Sequence, residues 1–251
     1  MDYILVIPSH RRANLLLQKT WSLLQRIAPN VKPIIWVNDD QDYQDYKPLF
    51  PTTEIRIGGS GIAEKRNLIQ HSYPLDTKIV MIDDDIRDLV VKDGNKRKPI
   101  KDLDALIKLG FSYCEKERCS LWSVYPLDNP LSMTNYVRKN LCLAIGAFFG
   151  VINKRIDVDL DCAEDLERSI KFWLLEKKMI RLEFVGLSTK YYNPNGGLSF
   201  LRKQNRNNID KIELNKRYPS YSKLFHNKKL NFTDLRLIGK RDVLIIDIPD
   251  L

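Results

Sequence analysis

Ile79-Val80-Met81-Ile82-Asp83-Asp84-Asp85 runs four apolar residues straight into three carboxylates. The apolar run reads as a strand buried on both faces, and the acids stand where it leaves the core. Side chains at i and i+2 of an extended chain point the same way, so Asp83 and Asp85 can converge on one cation. Hard ions such as Mg2+ or Mn2+ take oxygen ligands of this kind and share them with substrate phosphates. For a bare D-x-D an acidic turn is the plainer reading, and the neighbouring motifs decide between the two.

Upstream, residues 2–7, 33–38 and 54–57 have the same strand-like composition, with helical stretches between several of them. Between Ala13 and Ile27, the residues Leu16, Thr20, Leu23, Leu24 and Ile27 fall on one helical face. Further helices are expected from Ile62 to about Ser72, from Asp102 to about Arg118 and from Ala163 to Lys178, the last with Leu166, Ile170, Trp173 and Leu174 as its apolar stripe. Strands are expected at 121–125, 142–152, 180–187 and 243–248, with Gly146 or Gly150 bending or interrupting the long run. This alternation predicts an α/β fold, a mixed, mainly parallel central sheet flanked by helices. From Asn193 to Arg241 the composition turns to Asn, Lys, Arg and Tyr; the expected division is a domain over 1–200 and a basic C-terminal extension, 201–251, packed on it.

A chain of 251 residues with 43% hydrophobic content can bury a substantial core. Its net charge of +9 favours a polyanionic partner: nucleic acid, anionic lipid or a phosphorylated substrate. Cys114, Cys119, Cys142 and Cys162 form no C-x-x-C pair and no zinc spacing with histidine, so buried reduced thiols are expected. No apolar stretch approaches the roughly 20 residues that span a bilayer, and no signal-peptide pattern opens the chain, so a soluble cytoplasmic protein is expected.

Other segments bring chemistry to the strand ends. The first strand leaves Ser9-His10-Arg11-Arg12 at a carboxyl edge, where open α/β sheets bind ligands. The second ends in Asp39-Asp40, which read either as acceptors for a nucleobase or ribose or as a solvated turn. Gly58-Gly59-Ser60-Gly61 leads into a helix carrying Lys65 and Arg66; free N–H groups at such a start, with a mobile and a forked cation, suit a diphosphate. The spacing is neither a P-loop nor a dinucleotide fingerprint, and a surface-exposed basic helix fits it nearly as well. Glu164-Asp165 opens a later helix, where the dipole stabilises acids whatever their role. A carboxylate there can also take a proton from an acceptor hydroxyl, with Arg168 near enough along the helix to orient it.

Taken in order, Pro8-Ser9-His10-Arg11-Arg12, Gly61-Ile62-Ala63-Glu64-Lys65-Arg66-Asn67, Met81-Ile82-Asp83-Asp84-Asp85-Ile86 and Glu164-Asp165-Leu166-Glu167-Arg168 resemble the motifs of glycosyltransferases of the GT-A fold. Within them the chain looks most like the TET-associated group, many of whose members are encoded by bacteriophages and are associated with glycosylation of hydroxymethylated bases in DNA. The resemblance covers roughly residues 1–200. It implies Mn2+ or Mg2+ on Asp85 and Asp83, and a nucleotide-diphosphate sugar as donor with Asp84 on its ribose or sugar. It places Lys65 and Arg66 on the nucleotide or diphosphate, and Pro8, Ser9, Arg11 and Asp39 or Asp40 on base and ribose. Asp165, with Glu164 as alternate, becomes the catalytic base, and for a phage-encoded enzyme the site of action is the host cytoplasm. A third metal ligand, often a histidine beyond the acidic helix in such enzymes, has no counterpart, since His226 sits far from any expected strand end.

Asn193-Pro194-Asn195-Gly196-Gly197 reads as a plain turn or as a loop that closes over the donor. Arg202, Lys203, Arg206, Tyr218 and Tyr221 interleave cations with aromatics, as phosphate contact and base stacking require, or form a solvated face. The expected function is transfer of a sugar to a hydroxyl, with a hydroxymethylated pyrimidine in DNA as favoured acceptor. The alternatives are the same chemistry on a glycan, lipid or protein, and a nucleic-acid-binding module whose acids are inert.

Overall fold

Strand β1 (Ile4–Pro8) is buried from Leu5 onward, because its apolar side chains meet protein on both faces of the sheet. The computed structural model describes residues 2–189, 205–227 and 232–251. After β1 come α1 (Ala13–Leu16), α2 (Ser22–Ile27), β2 (Ile34–Val37), α3 (Asp40–Tyr46), β3 (Ile55–Ile57), α4 (Ile62–His71) and β4 (Lys78–Ile82). The chain continues with β5 (Asp88–Asp93), β6 (Lys96–Pro99), α5 (Leu103–Glu117), β7 (Leu121–Tyr125), β8 (Tyr136–Arg138), β9 (Phe148–Ile152), α6 (Glu164–Glu176) and β10 (Ile180–Ser188). Then follow α7 (Arg206–Arg217), the hairpin β11 (Ser222–Asn227) and β12 (Phe232–Leu237), and β13 (Val243–Ile245).

Among the described residues eleven strands form one sheet, with main path β13-β8-β10-β7-β9-β4-β1-β2-β3. β3, β2, β1 and β4 are parallel neighbours. β9 runs against β4 and β7, β10 is parallel to β7, and β8 and β13 each reverse their neighbour. Seven of these nine strands share one direction, with β8 and β9 opposed, so the sheet is mixed and mainly parallel. Alternate strand residues feed two cores. Leu5, Ile7, Ile35, Val80 and Ile82 face α2 and α5, while Val6, Trp36, Ile79 and Met81 face residues of α4 and α6 such as Ile69 and Ile170. Leu214 of α7 and Leu235 of β12 join the second core. Among the described residues no helix is long and apolar enough to cross a membrane, and Cys114, Cys119 and Cys142 are buried thiols.

Three departures from the sequence expectation bear on the site. The helix over 13–27 contains a π-helical segment, Leu17–Trp21, that carries the fully buried Thr20. The run 142–152 becomes a strand at Phe148, after Gly146 has passed tightly under the side chains of Glu164 and Arg66. Asp40–Tyr46 is a helix rather than a turn, with Asp39 as its N-cap accepting the Asp42 amide at 2.9 Å.

Gly150 tests the packing of the sheet. A Cβ there would lie 2.2 Å from Nε1 of Trp122. That ring is fully buried and held edge-on by Phe111 and Phe148, at centroid distances of 5.7 and 5.5 Å. Because the ring cannot swing aside, Gly150→Ala is expected to cost about 1–3 kcal/mol, read as a lower urea midpoint at unchanged m-value.

Candidate active site at the carboxyl edge of the sheet

β1, β2 and β4 are parallel, so the loops that follow them meet at one edge. There the acidic triplet is not extended: Asp84-Asp85 is a turn, and the i, i+2 alternation expected from the sequence does not apply. Thr20 fixes that turn, its Oγ1 donating to the Asp83 carbonyl at 2.6 Å and accepting the Ile86 amide at 3.0 Å. The three carboxylates consequently point apart, with Arg12 Nη1 shared between Asp84 and Asp85 at 3.0 and 3.6 Å. Asp84 points inward, 4% exposed, and accepts Ser9 Oγ at 2.5 Å and Arg12 Nη1 at 3.0 Å. The side chains of Asp83 and Asp85 stay 34% and 24% exposed. Asp83 Oδ1 accepts Arg66 Nη2 at 2.7 Å, and Asp85 Oδ1 accepts Thr189 Oγ1 at 2.9 Å.

Burial pushes Asp83 up to about 7; Arg66 opposes this, and repulsion from Asp85 and Asp84 adds to it. Asp84 is raised in the same way, against Arg12 and Ser9. Crowded carboxylates of this kind gain from a cation between them. The second oxygen of Asp83 accepts no hydrogen bond among the described residues, that of Asp85 lies 3.6 Å from Arg12 Nη1, and an all-oxygen, partly exposed donor set fits Mg2+ or Mn2+. No described histidine hydrogen-bonds the triplet: His10 pairs with Asp42, His71 with Asp157, and His226 lies exposed on β11.

The loop after β1 is organised by Asp42, which the sequence did not single out. This carboxylate, 1% exposed, accepts the amides of Arg11 at 3.0 Å and Asn38 at 3.1 Å and pairs with His10 Nδ1 at 2.7 Å. Burial alone would raise it; the hydrogen bonds outweigh burial and lower it. His10, Asp39 and Asp42 place three metal-capable atoms within 4.8 Å, but those donors already occupy Asp42, so the group works as a hub joining β1 to β2. The hub holds Arg11 at φ 53°, a left-handed conformation that costs a non-glycine residue about 1–2 kcal/mol. Tyr46 braces the same loop, its hydroxyl 2.6 Å from Ser9 Oγ and accepting the Arg12 amide at 3.0 Å. Of the residues expected on base and ribose, Arg11 and Asp40 are exposed and Asp39 is partly buried, whereas Pro8 and Ser9 are buried.

The helix α4 departs further from expectation. Its start is filled by the chain's own carboxylates: Asp161 Oδ1 accepts the Ala63 amide at 2.9 Å, and Glu64 Oε2 accepts that of Ser60 at 2.9 Å. Gly61 leaves room for that carboxylate, since a Cβ would lie 2.6 Å from Asp161 Oδ1. Lys65 is 3% exposed, donating to the Ser9 carbonyl at 2.7 Å and to Asn38 Oδ1, and burial pushes its amine down to about 8. Arg66 is 2% exposed and bound to Asp83, Glu164 and the Gly146 carbonyl. Neither cation is a surface donor. Both hold the edge together from beneath.

The start of α6 separates its two acids. Glu164, 6% exposed, is gripped by Arg66 and Arg168. Asp165 accepts the Leu166 amide on Oδ1 at 2.8 Å, and no hydrogen bond reaches its Oδ2 among the described residues. Burial, then repulsion from Glu164, raises the Asp165 carboxyl above the ordinary carboxylate value, against Arg168 and Arg66. Of the pair, Asp165 is therefore the acid with an oxygen that no hydrogen bond among the described residues occupies. Arg202, Lys203 and the loop 193–197 lie outside the described residues. Arg206 is paired with Asp210 at 2.7 Å, and Tyr218 and Tyr221 are partly buried against the second core.

No known protein family and no curated protein matches this chain's sequence. Its structure is similar to that of mannosyltransferase PcManGT from Pyrobaculum calidifontis, solved with GDP-Man and Mn2+ (TM-score 0.56, 11% identity), with 86% of this chain and 64% of that one covered. GalNAc-T7, solved with UDP, GalNAc and Mn2+, matches with TM-score 0.53 at 10% identity over 86% of this chain and 48% of that one. S. aureus TarS matches with TM-score 0.51 at 11% identity over 87% and 44%. The chain thus spans less than two thirds of each of these proteins. It has the GT-A fold.

Proposed function

We propose that this chain moves a sugar from a nucleotide-diphosphate sugar to a hydroxyl acceptor, in the presence of Mn2+ or Mg2+, and that the favoured acceptor is a hydroxymethylated pyrimidine base in DNA. The observation that carries the transfer reading is that partly exposed Asp83 and Asp85 stand at one sheet edge, where Arg66 bridges Asp83 to Glu164, the neighbour of Asp165 at the start of α6. Asp85 and Asp83 would hold the metal, which when bound neutralises the leaving diphosphate. Asp165 takes the proton from the acceptor hydroxyl in an inverting transfer. Arg11, Asp39 and Asp40 meet the nucleotide at the mouth of the loop, while Asp84, Ser9, Lys65 and Arg66 hold those groups in place from inside. PcManGT and GalNAc-T7, which share the fold, were solved with Mn2+ and nucleotide or nucleotide sugar, and this supports the same ligands here.

The DNA acceptor is supported by the net charge of +9 and by the outer face of the β11–β12 hairpin. There Lys223 stands opposite Arg236, both exposed, beside Phe225 at 41% exposure. Cations beside an exposed aromatic, here with Asp234 directly across from Phe225, suit phosphate contact with base stacking. The test is incubation with Mn2+, a panel of nucleotide sugars, and plain or 5-hydroxymethylated DNA, followed by nucleoside mass spectrometry. A sugar adduct confined to the hydroxymethylated DNA is expected. Transfer to a glycan or protein with no DNA adduct would refute the acceptor and spare the chemistry.

A further inference from the structure

Arg66 touches both halves of the site. Its Nη2 donates to Asp83 Oδ1 and to the Gly146 carbonyl, each at 2.7 Å, and its Nη1 donates to Glu164 Oε1. From the other side Arg168 Nη2 grips Glu164 Oε2. Phe149 lies beneath both guanidiniums, its centroid 5.3 Å from Arg66 and 3.8 Å from Arg168. Arg66, Glu164 and Arg168 are all buried. A buried charge group of this kind keeps its geometry, because breaking one contact leaves a charge alone in the interior. Gly146 leaves the space it needs: a Cβ there would fall 2.5 Å from Glu164 Oε1 and 2.6 Å from Arg66 Nη1.

We infer that Arg66 and Glu164 form a strut that sets the spacing between Asp165 and the carboxylate edge at Asp83, so that both act as positioning residues and neither touches substrate. The inference rests on the glycosyl-transfer reading. Asp165 follows Glu164 in the first turn of α6, so anchoring Glu164 fixes where the Asp165 carboxylate stands. Asp83 opens the turn that carries Asp85, so anchoring Asp83 fixes the other end. Reacting groups displaced by 1 Å lose about 10²-fold in rate, and a strut between two elements protects that distance.

Three variants probe the strut with different disturbances. Gly146→Ala removes no charge, and its methyl meets the terminal atoms of Glu164 and Arg66, so it displaces the pair, with a thermal scan confirming that the variant is folded. Glu164→Gln keeps the shape and removes the charge. Arg66→Lys offers a single ammonium where a fork serves three acceptors. The experiment measures kcat and donor KM for transfer from a nucleotide sugar with Mn2+, and calorimetric affinity for UDP and GDP with Mn2+. The expected result is a fall in kcat of about 10²-fold in all three, with KM and nucleoside-diphosphate affinity within about threefold of wild type. Wild-type kcat in Gly146→Ala and Glu164→Gln would overturn the strut. So would a loss of diphosphate affinity of about tenfold or more confined to Arg66→Lys, which would make Arg66 a phosphate contact. A wild-type protein that binds no nucleotide and turns over no nucleotide sugar would remove the reaction and the strut's role together, an outcome distinct from active wild type with indifferent variants.

Discussion

Asp85→Ala is expected to lower Mn2+-dependent turnover of a nucleotide sugar by about 10³-fold or more, the equivalent of about 4 kcal/mol of lost stabilisation of the leaving diphosphate. The fold is expected to survive. Asp85 contributes to its surroundings a hydrogen bond from Thr189, an ion pair with Arg12 at 3.6 Å, and repulsion toward Asp83 and Asp84, both of which it raises. Removing it relieves that crowding while Arg12 keeps Asp84, so the melting temperature should change little. A thermal scan beside the activity assay separates a lost ligand from a lost fold. Turnover at wild-type level in a folded Asp85→Ala protein would place the metal elsewhere.

Asp165→Asn is expected to reduce kcat by about 10²–10⁴-fold, the range for removal of a general base. Asparagine retains the shape and can still accept the Leu166 amide, so helix α6 keeps its start. The pH profile carries the sign. Burial and Glu164 raise the folded pKa of Asp165, so below it the carboxyl is protonated and cannot accept the acceptor's proton. At saturating metal and donor, wild-type kcat should therefore rise with pH through a pKa raised above that of an ordinary aspartate. That acid limb should vanish in Asp165→Asn. An unchanged limb would assign the titration to another group.

Much of the scaffold was legible because its strands are long apolar runs. Ile4–Pro8, Ile34–Val37, Lys78–Ile82 and Leu121–Tyr125 fall within or close to the spans their composition indicates, and the order of strands and helices gave the edge at which the acids emerge. The elements that escaped are those whose burial is not apolar. Helix α7 buries Asp210 and Lys211 beside Leu214 and leaves Ile209 and Ile212 exposed, so its apolar spacing misleads. Helix α3 is stabilised by the Asp39 cap and the buried Asp42 rather than by a hydrophobic stripe. The β5–β6 hairpin did carry a signal, the two-residue loop Gly94-Asn95, with Gly94 at φ 57°.

Within the site, residue types were readable and their pairings were not. The carboxylates and basic residues were evident, but that Arg66 meets Glu164, 98 positions away, is settled by tertiary packing. The same holds for Ser9 on Asp84 and for Asp161 on the start of α4. A helix start with lysine and arginine is a reasonable anion site until another part of the chain supplies the anion. Thr20 was readable only as a member of an apolar face; its hydrogen bonds to the Asp83–Ile86 turn depend on a π-helical segment with no marker in the local composition.

We propose the Asp83–Asp85 edge as a metal-dependent nucleotide-sugar site. Its most direct test is to incubate the purified protein with a panel of nucleotide sugars, in Mn2+ or in excess chelator, and to quantify free nucleoside diphosphate by mass spectrometry. Release from at least one donor in Mn2+, abolished by chelator and by Asp85→Ala, is the expected result. No release from any donor by a folded protein, or release indifferent to chelator and to Asp85, would contradict it.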